Sequence, residues 1–130
     1  MLVNHVNLSI LNSLRDVMET EYPALLHIFI KDSQERVNGL RLLSQECERS
    51  GLTTTQRQQL GMMAHSFKGS SGNLGATHLE DLCRQLEKLA IGQTVVSTSQ
   101  VSQLVKAIES EFAVVRDLFD VELHTTLTQY

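Results

Sequence analysis

The sequence predicts an all-α protein, and three features of its 130 residues support that prediction. Apolar residues recur every three or four positions along most of the chain, which is the period of an α-helix. The chain has a single proline and few runs of β-branched residues. Short breaks separate the long amphipathic stretches, so successive helices are expected to pack antiparallel. We therefore expect an up-and-down antiparallel four-helix bundle with an additional short N-terminal helix.

The first two helices are predicted on either side of Pro23. A short amphipathic helix is expected from about Val6 to Met18, where apolar residues keep helical spacing. Thr20 is the expected N-cap of the second helix, and Pro23 suits its first turn. That helix is predicted to run to about Arg49. Its buried stripe is predicted to contain Leu26, Phe29, Val37, Leu40, Leu43 and Cys47.

The third and fourth helices are delimited by residues that suit helix ends. The third helix is predicted from about Gln56 to Leu74, with a cap among Thr53–Thr55. Gly75 is placed to end it in the left-handed conformation, and Thr77 is the expected cap of the fourth helix. The apolar face of the fourth helix is predicted to contain Leu79, Leu82, Cys83, Leu86 and Leu89.

The last helix is predicted to begin within Ser97–Ser99 and to end near Leu123, followed by a frayed tail over residues 124–130. The chain is then one domain, residues 1–130. Residues 1–20 contain the N-terminal helix and its lead-in, and residues 21–123 form the four-helix bundle.

Charge and composition exclude several function classes. The net charge of −4 argues against nucleic-acid binding, which needs a basic surface. No apolar run approaches the roughly 20 residues of a membrane span, and the N-terminus lacks the pattern of a signal peptide. Cys47 and Cys83 lack metal-ligand spacing and are predicted to be small buried hydrophobes rather than a disulfide. We expect a cytoplasmic monomer without contact to membranes or nucleic acid.

One histidine of the third helix is predicted to lie on an exposed flank. The buried seam of that helix contains Leu60, Ala64, Phe67, Ser71 and Leu74, at alternating steps of four and three. The neighbouring flank contains Gly61, His65, Lys68, Gly69 and Gly72. The glycines leave bare backbone around the imidazole, so a partner protein is expected to approach the ring closely.

The neighbours of His65 suit a phosphoryl acceptor. An imidazole is a competent nucleophile near neutral pH. Lys68 follows three residues later and can neutralise an anion attached to the ring, while Ser66 and Ser70 could donate hydrogen bonds to phosphoryl oxygens.

The segment AHSFKGSSGNLGATHLEDLCRQLE, Ala64–Glu87, resembles the signature of the histidine-containing phosphotransfer (HPt) domain. That signature has an exposed His, a Lys three residues later, a Gly directly after it, a Leu-Gly, and a helix with Leu, Cys and Leu-Glu. The upstream segment LLHIFIKDSQERVNGL resembles the family's second helix. The resemblance covers about Pro23 to Phe119.

This resemblance implies a phosphorelay intermediate that receives a phosphoryl group from an aspartyl-phosphate of a hybrid sensor kinase and passes it to a response regulator. His65 matches the position phosphorylated on Nε2, Lys68 the residue that stabilises the phosphoryl group, and Gly69 the residue that allows close approach. Glu87 matches the residue that holds the other ring nitrogen. A solvated Glu87 paired with Arg84 or Lys88 remains an equal reading of the sequence.

The expected docking surface for receiver domains contains Gly61, Met62, Gly69 and Gly72, with Ile28 and Lys31 at its edge. The chain lacks a Gly-x-x-x-x-Gly-Lys nucleotide loop, so ATP-dependent kinase activity is not expected. It also lacks a cluster of acidic residues, so Mg²⁺ is expected to come from the receiver. The start at Met1 and the missing kinase region suggest a stand-alone protein.

Two other functions remain open at this point. The first is a helical adaptor that binds receiver domains without phosphate. The second is a metal-binding bundle that uses His65, His78 and Cys83, although these residues lack helical ligand spacing. The remaining histidines are predicted to be ordinary surface residues. They are His5, His27, His78 and His124.

Overall fold

The computed structural model describes residues 5–92 and 96–129, and the regular elements in these ranges are all helical. The helices are α1 (Leu8–Met18), α2 (Tyr22–Ser50), α3 (Thr54–Asn73), α4 (Thr77–Ile91) and α5 (Thr98–Gln129). A single 3₁₀ turn, Glu19–Glu21, joins α1 to α2. The predicted all-α class is confirmed.

Helices α2 to α5 form a closed ring in which each helix contacts the one before it and the one after it. The most extensive contacts join α3 to α4 and α2 to α5. The direction of α3 against α2 follows from two neighbouring pairs, Gly39 beside Met63 and Arg36 beside Ser66. This is the up-and-down antiparallel bundle that the sequence predicts, with α1 as the additional helix.

The apolar stripes predicted for α2 and α3 are buried, and aromatic rings fill the space between helices. Phe29 packs against Phe119 with ring centroids 5.3 Å apart, and Phe67 meets Phe112 edge-on at 6.4 Å. Both cysteines are free and buried, as predicted. Desolvation raises the pKa of the Cys83 thiol to about 12, so this thiol stays protonated at neutral pH.

The two ends of α3 have the predicted caps. Thr53 Oγ1 accepts the Gln56 amide at 3.1 Å, and Gln56 Oε1 accepts the Thr53 amide at 2.9 Å, a reciprocal capping box. Gly75 has φ of 78°, the left-handed conformation that suits glycine, and its amide bonds to the Gly72 carbonyl at 3.1 Å. The sharp turn at Gly75 lets α4 return directly along α3.

Two predicted caps are wrong. Thr20 lies inside the 3₁₀ turn, and the N-cap of α2 is Glu21, which makes no side-chain capping bond. Thr77 is already the first residue of α4, whose N-cap is Ala76. In both places the preceding chain is itself tightly turned, so the helix starts without a hydroxyl cap.

The predicted end of α5 is also wrong, because the helix continues from Leu123 to Gln129. Just before the extra turns, Glu122 contacts the start of α2 and the helix α1. Glu122 accepts a hydrogen bond from the Tyr22 hydroxyl at 3.0 Å and lies 3.5 Å from the Arg15 guanidinium. These contacts with the N-terminal region anchor α5 at the point from which the helix continues.

The N-terminal segment fastens the corner between α3 and α4. Asn7 caps α1 by accepting the Ser9 amide at 3.0 Å, and the Asn7 amide donates to the Gly75 carbonyl at 2.7 Å. In the two described ranges, no helix combines the length and apolar character needed to cross a bilayer.

Candidate functional site

His65 lies in the middle of α3 with its ring in solvent. The side chain is 69% exposed, and Nδ1 lies 2.6 Å from Glu87 Oε2 on α4. Nε2 has no hydrogen-bonding partner among the described residues. One ring nitrogen is therefore fixed by the protein and the other is presented outward.

Lys68, one turn after His65 on α3, makes a second contact with Glu87. Its Nζ donates to the second oxygen of Glu87, Oε1, at 2.6 Å, so one carboxylate accepts a hydrogen bond from each of two side chains of α3. The hydrogen bond from Lys68 is the main cause that lowers the pKa of Glu87. Partial burial opposes this effect, and the bond to His65 adds to it. Glu87 is consequently an anion at neutral pH.

The charge of Glu87 determines which ring nitrogen of His65 carries the proton. An ionised carboxylate only accepts hydrogen bonds, so the short contact requires a hydrogen on Nδ1. In the neutral imidazole the lone pair then lies on Nε2, as with histidines oriented by a carboxylate at metal sites. The alternative pairing of Glu87 with Arg84 is wrong, since Arg84 pairs with Glu80 at 3.5 Å and with Asp81 at 3.1 Å.

Of the three glycines predicted to surround His65, Gly69 alone is open. A Cβ atom at Gly69 would meet nothing within 4 Å. Gly61 is buried, and a Cβ there would lie 3.2 Å from Ile91 and 3.7 Å from Ala90, so this glycine allows α3 and α4 to pack closely. At Gly72 a Cβ would lie 2.9 Å from Glu80 Cδ, so α4 already occupies that space.

The helical wheel explains this correction. Successive residues turn by about 100°, so Gly61 and Gly69 lie about 40° to opposite sides of His65. Lys68, like Gly61, is on the side that faces α4, while Met62 shares the outward side with Gly69. By their spacing in the sequence, Gly61 and Gly69 both lie close to His65 on the helix. The position of α4 distinguishes them, because α4 covers Gly61 and leaves Gly69 open.

An open groove of about 550 Å³ borders the imidazole. It is lined by Gln58, Gly61, Met62, His65, Glu87 and Ile91. Met62 is 73% and Ile91 68% exposed, so the groove has an apolar rim next to the reactive ring. Sequence reasoning missed Ile91 and Gln58, although Ile91 follows Glu87 by four residues and therefore lies on the same face of α4.

The α2 residues predicted at the docking edge lie apart from this groove, whose walls come from α3 and α4. Ile28 and Lys31 are exposed on α2. A different α2 residue, Arg36, was not predicted and contacts α3 beside His65: its guanidinium donates to Ser66 Oγ at 3.1 Å, next to His65 in the chain. Ser66 and Ser70 both lie on α3, exposed and half-buried respectively.

The residues of the metal-site alternative do not come together. Among residues 5–92 and 96–129, no group of three histidine, cysteine or acidic side chains is arranged to hold a metal ion. His78 packs instead against His5, with ring centroids 6.4 Å apart. His5 is not the ordinary surface residue predicted, because its Nδ1 lies 2.7 Å from the buried Glu111.

Comparison with known proteins identifies the family of the chain. The sequence profile of the Hpt domain matches residues 24–129. Among solved structures, the histidine-containing phosphotransfer protein B of Pseudomonas aeruginosa PAO1 is similar at 37% identity and a TM-score of 0.77. The match covers 93% of this chain and 96% of that one. Curated protein sequences give no match. With most of its length matched, the chain belongs to the Hpt domain family.

Proposed function

We propose that His65 is the phosphoryl carrier of this Hpt protein and that it exchanges phosphoryl groups with aspartates of receiver domains. The donor is the aspartyl-phosphate of a hybrid sensor kinase, and the acceptor is a response regulator. The observation that carries the proposal is the exposed ring of His65, whose Nδ1 is fixed by Glu87 beside the ammonium of Lys68. Direct histidine phosphotransfer is the function of the family to which the chain belongs.

The reaction asks the protein mainly for position and charge neutralisation. Nε2 attacks the phosphorus of the aspartyl-phosphate, and the electron pair of the broken P–O bond stays on the aspartate. Lys68 is placed to turn from Glu87 towards the phosphoryl oxygens. Return transfer to another aspartate reverses these bonds, and no nucleotide takes part on this chain.

The surface around His65 offers two different edges to a receiver. Gly69 leaves open backbone on one side of the ring, so a receiver's active site can come close to Nε2. One turn earlier on α3 and on the neighbouring α4, Met62 and Ile91 present apolar area that docking would bury. Burial of these side chains would stabilise the encounter without obstructing the ring.

Mg²⁺ belongs to the receiver in this scheme. Glu87 is the carboxylate that contacts His65 among the described residues, and each of its oxygens already accepts a hydrogen bond. An Mg²⁺ ion bound there would compete with both donors. We therefore propose that this chain has no cofactor of its own and that the receiver's acidic site holds the ion.

The test is phosphoryl uptake from a phosphorylated receiver domain in the presence of Mg²⁺. Wild-type protein and the control variant His27→Gln, which changes an exposed histidine of α2, should be labelled at the same rate. His65→Gln should lose more than about 100-fold of the rate, since the nucleophile is gone. Circular dichroism checks that the variant remains helical.

Normal labelling of the His65→Gln protein would overturn the proposal. Receiver binding by both proteins without labelling of either would instead select the phosphate-independent adaptor. A profile of wild-type protein against every receiver of its own cell, ranked by initial rate, then identifies the donor and the acceptor.

A further inference from the structure

We propose that Glu87 keeps the proton on Nδ1 of His65 throughout the phosphoryl cycle, so that the phosphorylated ring is a cation and releases its phosphoryl group readily. This inference rests on the proposed function of His65. It makes Glu87 a positioning residue that also controls the lability of the phosphohistidine, beyond orienting the free ring.

In the unphosphorylated chain, two hydrogen bonds and partial burial hold the carboxylate of Glu87 in place. Glu87 Oε2 lies 2.6 Å from Nδ1 of His65, and Oε1 lies 2.6 Å from Lys68 Nζ. The Glu87 side chain is largely covered, at 15% exposed, whereas the ring of His65 is mostly in solvent. The anion is thus fixed against the inner edge of the ring, opposite the nitrogen that reacts.

The bonds and charges of the two transfers balance with that proton in place. When Nε2 forms its bond to phosphorus and the aspartate leaves, the ring carries hydrogen on Nδ1 and phosphorus on Nε2, and it is positively charged. When a second aspartate attacks phosphorus, the Nε2–P electron pair returns to Nε2 and a neutral imidazole leaves. If Nδ1 lost its proton first, the leaving group would be an imidazolate anion, which is far less stable.

A carboxylate favours the protonated ring more than an amide does. An opposite charge within hydrogen-bond distance stabilises the cation, whereas the carbonyl of glutamine would accept the same hydrogen bond without a negative charge. Glutamate at this position therefore favours rapid release of the phosphoryl group over long storage.

The other charged groups around the pair do not replace this interaction. From α3, Lys68 binds the far oxygen of Glu87. On α4, Arg84 is paired with Glu80 and Asp81, and Lys88 is exposed. From α2, Arg36 donates to Ser66. In the described part of α5, no charged side chain contacts Glu87. Among the described residues, Glu87 is thus the acidic side chain that contacts the ring.

The experiment phosphorylates the full chain with phosphoramidate, a small donor that needs no receiver. The titration of the phosphohistidine ring is followed by ¹⁵N and ³¹P NMR, together with the rate of phosphoryl loss. In Glu87→Gln, the midpoint of ring deprotonation should fall by about one pH unit, and phosphoryl loss at pH 7 to 8 should slow. The matched control Glu80→Gln, on the same helix, should titrate as wild type.

An unchanged midpoint in Glu87→Gln would overturn the proposal, because orientation alone is preserved by the amide. The variant Glu87→Ala loses both charge and hydrogen bond, and it should show at least the same fall. The two proposals fail separately. A chain that no receiver phosphorylates defeats the relay function, whereas the titration of chemically phosphorylated protein tests Glu87 alone.

Discussion

His65 and His5 each place Nδ1 against a glutamate of another segment, at 2.6 Å from Glu87 and 2.7 Å from Glu111. The surroundings of the two pairs differ. The His65 side chain is 69% exposed, while that of His5 is 26% exposed and packs against the ring of His78. The same hydrogen bond therefore occurs once at an open surface and once at a covered joint.

The difference shows that a histidine–carboxylate pair is not by itself a reactive site. Glu87 is shared with Lys68, which can move to an incoming phosphoryl group. Glu111 has His5 as its hydrogen-bonding partner, and none other among the described residues, so its pairing ties the N-terminal segment to α5. Reactivity depends on a free nitrogen, a nearby cation and open space, whereas the second pair contributes stability.

The largest effect is expected from a substitution that covers the exposed pair, His65 and Glu87. Gly69→Leu should lower the rate of phosphoryl uptake from a receiver by about 100-fold, because the side chain would keep the partner from Nε2. Its Cβ meets nothing in the fold, so the free energy of unfolding should rise by about 0.8 kcal/mol from better helix propensity.

Stopped-flow transfer and urea denaturation measure the two quantities on the same protein. Gly69→Ala is the matched control, with a similar gain in stability and a much smaller loss of rate. A Gly69→Leu protein that transfers at the wild-type rate would show that the open backbone is irrelevant to docking.

A change in the covered pair, His5 and Glu111, should lower stability and leave the rate of phosphoryl uptake unaffected. His5→Ala should lower the free energy of unfolding by about 1–3 kcal/mol, since the buried Glu111 loses its partner. Phosphoryl uptake should be unchanged. His65→Ala should cost less than about 0.5 kcal/mol, because Glu87 keeps Lys68.

Urea denaturation of both alanine variants at pH 7 makes this comparison. His5→Gln, which retains a hydrogen-bond donor, should fall between wild type and His5→Ala. Equal stability of His5→Ala and wild type would mean that the joint at Glu111 contributes nothing to the fold.

The smallest effect expected is on stability in acid. The pKa of Glu87 is lowered in the folded protein, chiefly by the hydrogen bond from Lys68, so its contribution is complete above the ordinary glutamate value of 4.5. That contribution is lost as the pH falls through the lowered pKa. The Tm advantage of wild type over Glu87→Gln, at most a few degrees, should therefore be constant near neutral pH and shrink below about pH 4.5.

Thermal melts from pH 3 to pH 7 test this prediction, with Glu80→Gln as the control for a half-exposed ion pair on the same helix. An advantage of wild type that grows on acidification would contradict the assigned direction of the shift.

Helix periodicity predicted the bundle and its core because each amphipathic stretch carries its own burial pattern. Helix ends were less predictable from sequence. Thr53 forms the expected cap, but Thr77 falls one residue inside α4. Close to its end, α5 contacts Tyr22 and Arg15 through Glu122, 100 or more residues away in the chain, and local sequence does not contain those contacts.

The same division applies to the site. His65 and Lys68 share one helix, so their spacing was enough to place them on one flank. The burial of Gly61 and the contact of Glu87 with His65 depend on how α4 is rotated against α3. The residue pattern of a single helix does not contain that rotation. The pairing of His5 with Glu111 joins positions that are far apart in the chain, and the local sequence around either residue does not predict it.

His65, Lys68 and Glu87 belong to one helical hairpin, α3 and α4, which is closed at one end by Gly75. At the other end of the hairpin, Arg57 of α3 donates to the Ala90 carbonyl of α4 at 2.7 Å, and this hydrogen bond joins the two helices. The candidate site of His65, Lys68 and Glu87 is thus contained in two consecutive helices. A designer could transplant it onto another pair of supporting helices, provided that they cover the same apolar face.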